Sequence, residues 1–470
     1  MEKLSGNYSK DIGRLDELLR VNENFDIIKR TTEFGDAKQT YYYIDGFIKG
    51  ETMQKFLMHL TSVKDFGDGK TGAAKRFSEK YAPVVEVDVS DSIDELIFAV
   101  LSGCTVMLSS GFGSDALVID LRTYPAREAS EPENDKVMRG SRDGFVETMI
   151  FNTAMLRRRI RNPHLTIEYV KVGKSSQTDM ALCYISNRVD TKLLTKLREK
   201  LATVQTDSIS MGHESVAETL IRKRWYNPFP KIRLTERPDV AAASVLEGSV
   251  VLICDNSPEA MLFPTSVFDF LQEADDYYFP PFTGTYLRIT RHIVFWISVI
   301  LTPLWYLAVM NADILPDMLK FLIPSEPGEL PIILQLFLTE FALDGLKLAS
   351  LNTPDALSSS LSVVGGLLLG DFAVKVGWLC PDVILYMAFV ATANFTQSSY
   401  ELGYAFKYMR MFTLLMTFLL NYIGFIIGIL TGLLFLCINR SFGGKSYLYP
   451  LIPFNGKALT RLLFRPLKHD

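Results

Sequence analysis

Thr290–Met310 reads TRHIVFWISVILTPLWYLAVM, and it divides the chain into two kinds of polypeptide. The stretch is apolar over a length that crosses a hydrocarbon core. Arg288, Arg291 and His292 stand at its start and Trp305 and Tyr306 toward its far end, where interfacial anchors belong. Residues before it are charged and mixed in pattern; residues after it form a series of apolar runs. Of 470 residues, 48% are hydrophobic and 22% charged, and the apolar excess lies in the C-terminal part. The net charge of -4 offers no concentrated basic face, so nucleic acid is not an expected partner.

Beyond this first span, Asp313, Asp317, Glu326 and Glu329 face a single Lys320, which places that loop outside. Pro331–Ser350 is apolar, but Glu340, Asp344 and Lys347 recur at i, i+4 and i+7 as a polar membrane stripe on one helical face. Such a face avoids lipid, so the segment is expected at an interface, re-entrant, or turned toward a watery interior. Ser358–Trp378 carries Ser358, Ser362, Gly366 and Gly370 four apart, with Ser359 and Val363 beside them and Asp371 near the end. Small residues on one face either let helices approach closely or line a narrow pore, and both readings stand. Asp371 is either a charge at a pore mouth or an interfacial partner of Lys375.

Asp382–Thr396 is a short span. Phe412–Ile438 is long enough to cross while tilted, with Gly424, Gly428 and Gly432 on one face. The tail has Arg440, Lys445, Lys457, Arg461, Arg465 and Lys468 against Asp470, and belongs inside. Both ends inside require an even count. Four crossings are expected, with Pro331–Ser350 interfacial or re-entrant; a full span there would make five.

The N-terminal half contains two similar pieces. Tyr43-Ile44-Asp45-Gly46 and the amphipathic run to Leu60 match Tyr184-Ile185-Ser186-Asn187 and the run to Leu201, with Ile48, Met53, Phe56 and Leu60 corresponding to Val189, Leu194, Leu197 and Leu201. Each reads as strand, turn and helix. Leu101–Leu108 (LSGCTVML) leads to Ala116–Ile119, and Leu246–Ile253 (LEGSVVLI) leads to Met261–Phe263, each a hairpin entered from a short helix (Ile93–Leu101 and Val240–Leu246). The alternative is chance recurrence of a common unit. The expected organisation is an N-terminal α/β subdomain (1–127), a charged linker and helix (128–162, the helix at Gly144–Arg161), and a second α/β subdomain (163–289). A transmembrane helical domain (290–438) and a basic cytoplasmic tail (439–470) follow. The fold class is thus an α/β cytoplasmic region of two similar subdomains followed by an α-helical multi-pass membrane domain.

No catalytic constellation, cofactor site or metal site is expected. Gly111-Phe112-Gly113 lies between short strands and opens no helix, and Gly69-Lys70-Thr71 lacks the first glycine of a P-loop, since that position is Lys64. His59, His164, His213, His292 and His469 show no ligand spacing, and the five cysteines form no C-x-x-C pair, consistent with a reducing compartment. The N-terminus shows no signal-peptide core. Arg157-Arg158-Arg159-Ile160-Arg161 ends a helix, where cations suit the dipole, or marks a subunit contact or anionic lipid site.

Asn227–Pro230 (NPFP), Thr235–Asp239 (TERPD), Leu246-Glu247-Gly248, Asp255, Pro264-Thr265 and Asp275–Tyr278 (DDYY) together resemble the GerA family of spore-germination proteins, A-subunit type. Gly144–Thr148, Leu156–Pro163, Gly365-Gly366, Ser441–Gly443 and Tyr447 extend the resemblance over nearly the whole chain, and Tyr277–Arg288 (YYFPPFTGTYLR) points to one branch of the family. With no site chemistry in the sequence, an enzyme is not expected; the resemblance implies a multi-pass protein of the bacterial spore (forespore) inner membrane with its N-terminal domain cytoplasmic. It implies a homo-oligomer, a pentamer, conducting monovalent cations as an ion channel in germination. A small membrane subunit and germinant receptors are the partners it suggests. It favours Ser358, Ser359, Ser362, Val363, Gly366, Gly370 and Asp371 as pore-lining residues. The alternative is a non-conducting scaffold that assembles or amplifies germinant receptors.

Overall fold

The computed structural model describes the chain except residues 1, 36, 71, 83–85, 123–134, 205–208, 210, 222–225, 352–369, 371, 397–398 and 465–470. The chain forms two compact units, Met1–Arg222 with Ile232–Pro264, and Lys223–Lys231 with Thr265–Asp470.

The first unit contains one structural pattern twice. Helix α1 (Tyr8–Leu19) precedes strands β1 (Ile27–Phe34) and β2 (Ala37–Ile44), helices α2 (Gly50–Leu60) and α3 (Ala73–Tyr81), strand β3 (Val87–Ser90), helix α4 (Ile93–Leu101) and strands β4 (Thr105–Ser109) and β5 (Ala116–Ile119). The same succession returns as α5 (Met149–Arg159), β6 (Leu165–Val172), β7 (Thr178–Ile185), α6 (Thr191–Ala202), α7 (Gly212–Leu220), β8 (Arg233–Thr235), α8 (Pro238–Leu246), β9 (Val250–Cys254) and β10 (Ala260–Phe263). The sheets have corresponding orders, β1-β2-β4-β5-β3 and β6-β7-β9-β10-β8.

The register repeats as well. Ile27 faces Ile44 and Leu165 faces Ile185 at the open ends of the first hairpins. The next backbone bonds also correspond, Asp45 N–H to Asp26 O and Ser186 N–H to His164 O. At the exit of each short helix a glycine takes positive φ, Gly103 at 96° and Gly248 at 98°. There an L side chain would be strained, and a Cβ would also press Phe47 in one copy and the Arg188 carbonyl in the other.

The two subdomains are joined by a buried ion pair. Phe25 N–H donates to Ile167 O, and Asn24 Oδ1 accepts from Ile167 N–H. Arg157 of α5, fully buried, donates through Nε and Nη2 to both oxygens of Asp26 at 2.8 and 2.9 Å, and also to Asn24 Oδ1 and Leu165 O. Arg159 instead pairs with Asp143. The helix expected over Gly144–Arg161 begins only at Met149; before it, Phe145 N–H donates to Glu236 O and Val146 N–H to Asn152 Oδ1.

The second unit is helical. Helix α9 (Asp275–Tyr278) leads into α10 (Pro281–Met310), followed by α11 (Ile332–Leu351), α12 (Pro381–Asn394), α13 (Tyr400–Ile438) and α14 (Gly456–Leu463). Helix α10 begins well before Thr290, with Pro281 in its first turn, where a missing N–H costs nothing.

The 39-residue α13 is two helices joined at Asn421, whose φ of 53° and ψ of -129° lie outside the helical region. The arms fold back on each other. A Cβ on Gly424 would lie 1.8 Å from Met416 O, one on Gly428 2.7 Å from Thr413, and one on Gly432 3.8 Å from Met409 Sδ. The glycines therefore form the face on which the second arm packs against Thr417, Thr413 and Met409 of the first, a small-residue close approach. This corrects the single tilted helix expected over Phe412–Ile438. The reversal is fixed by reciprocal amide bonds between Asn421 and Asn311 at the end of α10, at 2.8 and 3.0 Å.

Candidate functional site

Contacts along the bundle fix the direction of each helix. At the start of α10, Asp276 receives Arg291 at 2.9 Å and Arg288 at 3.3 Å. Arg288 also donates to the carbonyls of Arg461 and Leu462, and Arg291 to Thr396 O just before α13. The other end of α10 meets Asn421. Helix α10 and the first arm of α13 thus run the same way.

Helix α11 runs against them. Leu336 clusters with Trp305, Tyr306 and Leu414, whereas Lys347 lies over the rings of Tyr400 and Tyr404 at 4.4 and 5.0 Å. At 20 residues it is about 30 Å long. Its first and last turns reach opposite ends of the neighbouring helices. Gln335 in its first turn is buried and accepts Cys380 N–H at 2.8 Å, seating the start of α12 beside it.

Between α11 and the first arm of α13 lies a cluster of charges in otherwise apolar surroundings. Glu340 and Arg410 are both buried and meet at 2.6 Å. Lys407, also buried, is 3.4 Å from Glu340 and forms a close ion pair with Asp344. The expected stripe of Glu340, Asp344 and Lys347 is therefore on one face, and the first arm of α13 covers it. Lys407 and Arg410, spaced i, i+3, had no place in the sequence reading, which began the last span at Phe412. Two basic residues one turn apart inside an apolar run would have identified them. A cavity of about 80 Å³ adjoins the cluster, lined by Glu340, Asp344, Lys347, Asn394, Tyr400 and Lys407. Separating a buried pair of this kind leaves an uncompensated charge, at a cost of about 3–5 kcal/mol.

Of the pore-lining candidates, Ser358, Ser359, Ser362, Val363, Gly366 and Asp371 lie outside the described residues. Gly370 borders an apolar cavity of about 580 Å³ with Leu338, Ala342, Leu346, Phe372 and Val376. In the first unit, His213 Nδ1 lies 2.7 Å from Ser257 Oγ and its Nε2 2.7 Å from Glu259. That order imitates a hydrolytic triad, but Ser257 is buried at 2% exposure in a hairpin turn, so substrate cannot reach its hydroxyl in this conformation. Burial also pushes the thiol of Cys254 up to about 12 and raises that of Cys183, the reverse of an activated nucleophile.

The family model described as Bacillus/Clostridium GerA spore germination protein matches residues 15–469. Stage V sporulation protein AF of Bacillus subtilis (strain 168) is 36% identical over 455 residues, covering 95% of this chain and 90% of that protein. Spore germination protein KA of the same organism is 29% identical over 452 residues, covering 95% of this chain and 82% of that protein. The crystal structure of the N-terminal domain of the A subunit of the Bacillus megaterium spore germinant receptor GerK3 aligns with 56% of this chain and 96% of that chain, at 25% identity and a TM-score of 0.43. The chain belongs to the GerA family of spore germination proteins.

Proposed function

We propose that this chain is the membrane subunit of an oligomeric ion channel that promotes ion release during spore germination. In this reading it is seated in the spore inner membrane with its N-terminal region on the cytoplasmic side. The observation that carries the reading is the Glu340–Arg410 and Asp344–Lys407 pairing, buried between helices whose other faces are apolar. Ionisable groups at membrane depth are costly, and they concentrate where ions move or where gates are held.

The bundle supports a multi-pass arrangement. Among the described residues two helices, Pro281–Met310 and Tyr400–Ile438, are long and apolar enough to cross a membrane, and the second is folded into two arms. Helix α11 ends near Tyr400 and α12 starts near Gln335, at opposite ends of the bundle. The Ser358–Trp378 run has hydroxyls and glycines that suit a path that holds ions weakly. The non-conducting scaffold has one observation in its favour: the Gly424, Gly428 and Gly432 stripe in this bundle serves packing.

Potassium efflux from cells expressing the chain separates the two. Val363→Ala is expected to raise efflux and Ser362→Leu to abolish it. If both variants insert, form oligomers and leak like wild type, the scaffold reading replaces the channel.

A further inference from the structure

The end of the bundle that carries Asp276, Arg288 and Arg291 also carries a surface the channel reading does not use. Tyr449, Leu451, Ile452, Phe454 and Phe464 are 40, 43, 52, 74 and 52% exposed, a concentration of apolar side chains on one short stretch of chain. The stretch is held in place. Ile452 N–H donates to Leu448 O, Asn455 N–H to Pro450 O, and Asn455 Oδ1 caps α14 through Ala458 N–H. Helix α14 is fixed by Leu462 in the core and by Arg288, which binds its last carbonyls. These side chains are therefore presented on an ordered scaffold, and the inward face of α14 is already used.

Charge is one-sided here. Residues 439–464 contain Arg440, Lys445, Lys457 and Arg461 and no aspartate or glutamate. Lys457 and Arg461 are exposed and interleave with the apolar positions. Exposed apolar side chains edged by cations on an ordered turn match a surface with an acyl region beneath anionic headgroups. We propose that Tyr449–Phe464 is an interfacial membrane-binding element, with Leu451, Ile452, Phe454 and Phe464 entering the boundary and Lys457 and Arg461 binding the headgroups of anionic phospholipid. The proposal rests on the bundle being membrane-spanning, since that places this end at the bilayer surface.

The test uses the full chain with Cys437→Ser, an environment-sensitive fluorophore on Phe454→Cys, and reconstitution into vesicles of phosphatidylcholine alone or mixed with phosphatidylglycerol. The expected result is quenching by a shallow nitroxide lipid, protection from aqueous iodide, and a larger inserted fraction with phosphatidylglycerol. Neutralising Lys457→Gln or Arg461→Gln should lower the inserted-to-exposed ratio roughly fivefold per residue in the anionic vesicles. Ile452→Cys provides the same readout if the Phe454 variant misfolds. A matching probe at Ile297, on the exposed face of α10, reports the span itself. Deep lipid quenching at Ile297 with iodide quenching at Phe454 overturns this proposal alone; iodide quenching at both overturns the span. Protection of Phe454 from both quenchers means protein covers it, and equal insertion in both vesicles removes the headgroup role; either result also overturns the proposal.

Discussion

Arg157→Met offers the sharpest test of how the two subdomains are joined. The substitution keeps an unbranched apolar stem in the space of the arginine and removes its charge. Asp26, at 1% exposure, would lose two charge-assisted bonds and retain no cation, while Asn24 Oδ1 and Leu165 O each lose one donor. Breaking one side of a buried pair costs about 3–5 kcal/mol, so opening at this junction should become about 150- to 5,000-fold more frequent. Cys183 supplies the assay, because it is fully buried in β7 with Asp26 and Arg157 as its charged neighbours. Its trapping by a thiol reagent under native conditions measures the opening directly. Trp296, Trp305 and Trp378 lie outside this unit and would not report it. Adding Asp26→Asn should recover part of the loss, since the uncompensated carboxylate is then gone. A change in trapping below about fivefold for Arg157→Met, or strict additivity in the double variant, would refute the argument that an ion pair holds this junction.

Four other outcomes are expected. Gly428→Val should disrupt the hairpin of α13 because the new side chain meets Thr413 at 2.7 Å; the overpacking costs about 1–3 kcal/mol or more, read as a lower melting temperature in detergent. Glu340→Ala should destabilise the bundle by about 3–5 kcal/mol by leaving Arg410 without its carboxylate, whereas Glu340→Ala with Arg410→Met should be milder; equal losses would show that the pairing is not the cause. At mildly alkaline pH, exposed Cys437 should alkylate readily while Cys183 and Cys254 do not. For Cys254 the folded value lies above the ordinary 9.0, so its contribution is present below that pH and is lost as pH rises toward about 12; a pH-independent stability of the first unit across that window would contradict this.

Part of this architecture is written in local pattern and part is not. The repeated strand-turn-helix units could be read because Tyr43–Leu60 and Tyr184–Leu201 keep their apolar positions without a gap, and a strand register follows from such alternation. The folding of α13 could not be read that way. Hydropathy reports how apolar a run is and is blind to its direction, so a helical hairpin and one long helix look alike across residues 412–438. The available signal was Asn421, a strongly polar residue near the middle of that run and of a type that tolerates positive φ. The glycine stripe was visible at its period of four, but its partner face of Met409, Thr413 and Thr417 depends on where the chain turns. Glu340 and Asp344 were identifiable as residues avoiding lipid, while their partners were lost by placing the start of the last span two residues beyond Arg410.

The charge cluster also answers a problem that apolar packing leaves open. In a lipid surrounding, sliding one helix along another changes little, because lipid tails are as apolar as the side chains they replace. Register must then come from shape or from polar pairs. Glu340 with Arg410 and Asp344 with Lys407 are separated by four residues on one helix and three on the other, the spacing of adjacent turns in antiparallel neighbours. Lys407 is already 3.4 Å from Glu340, and a slip of one turn that set Glu340 squarely against it would leave Arg410 and Asp344 unpaired in an apolar region. The pairs therefore cost desolvation energy but exclude the neighbouring registers, the use for which buried ionic groups are best suited.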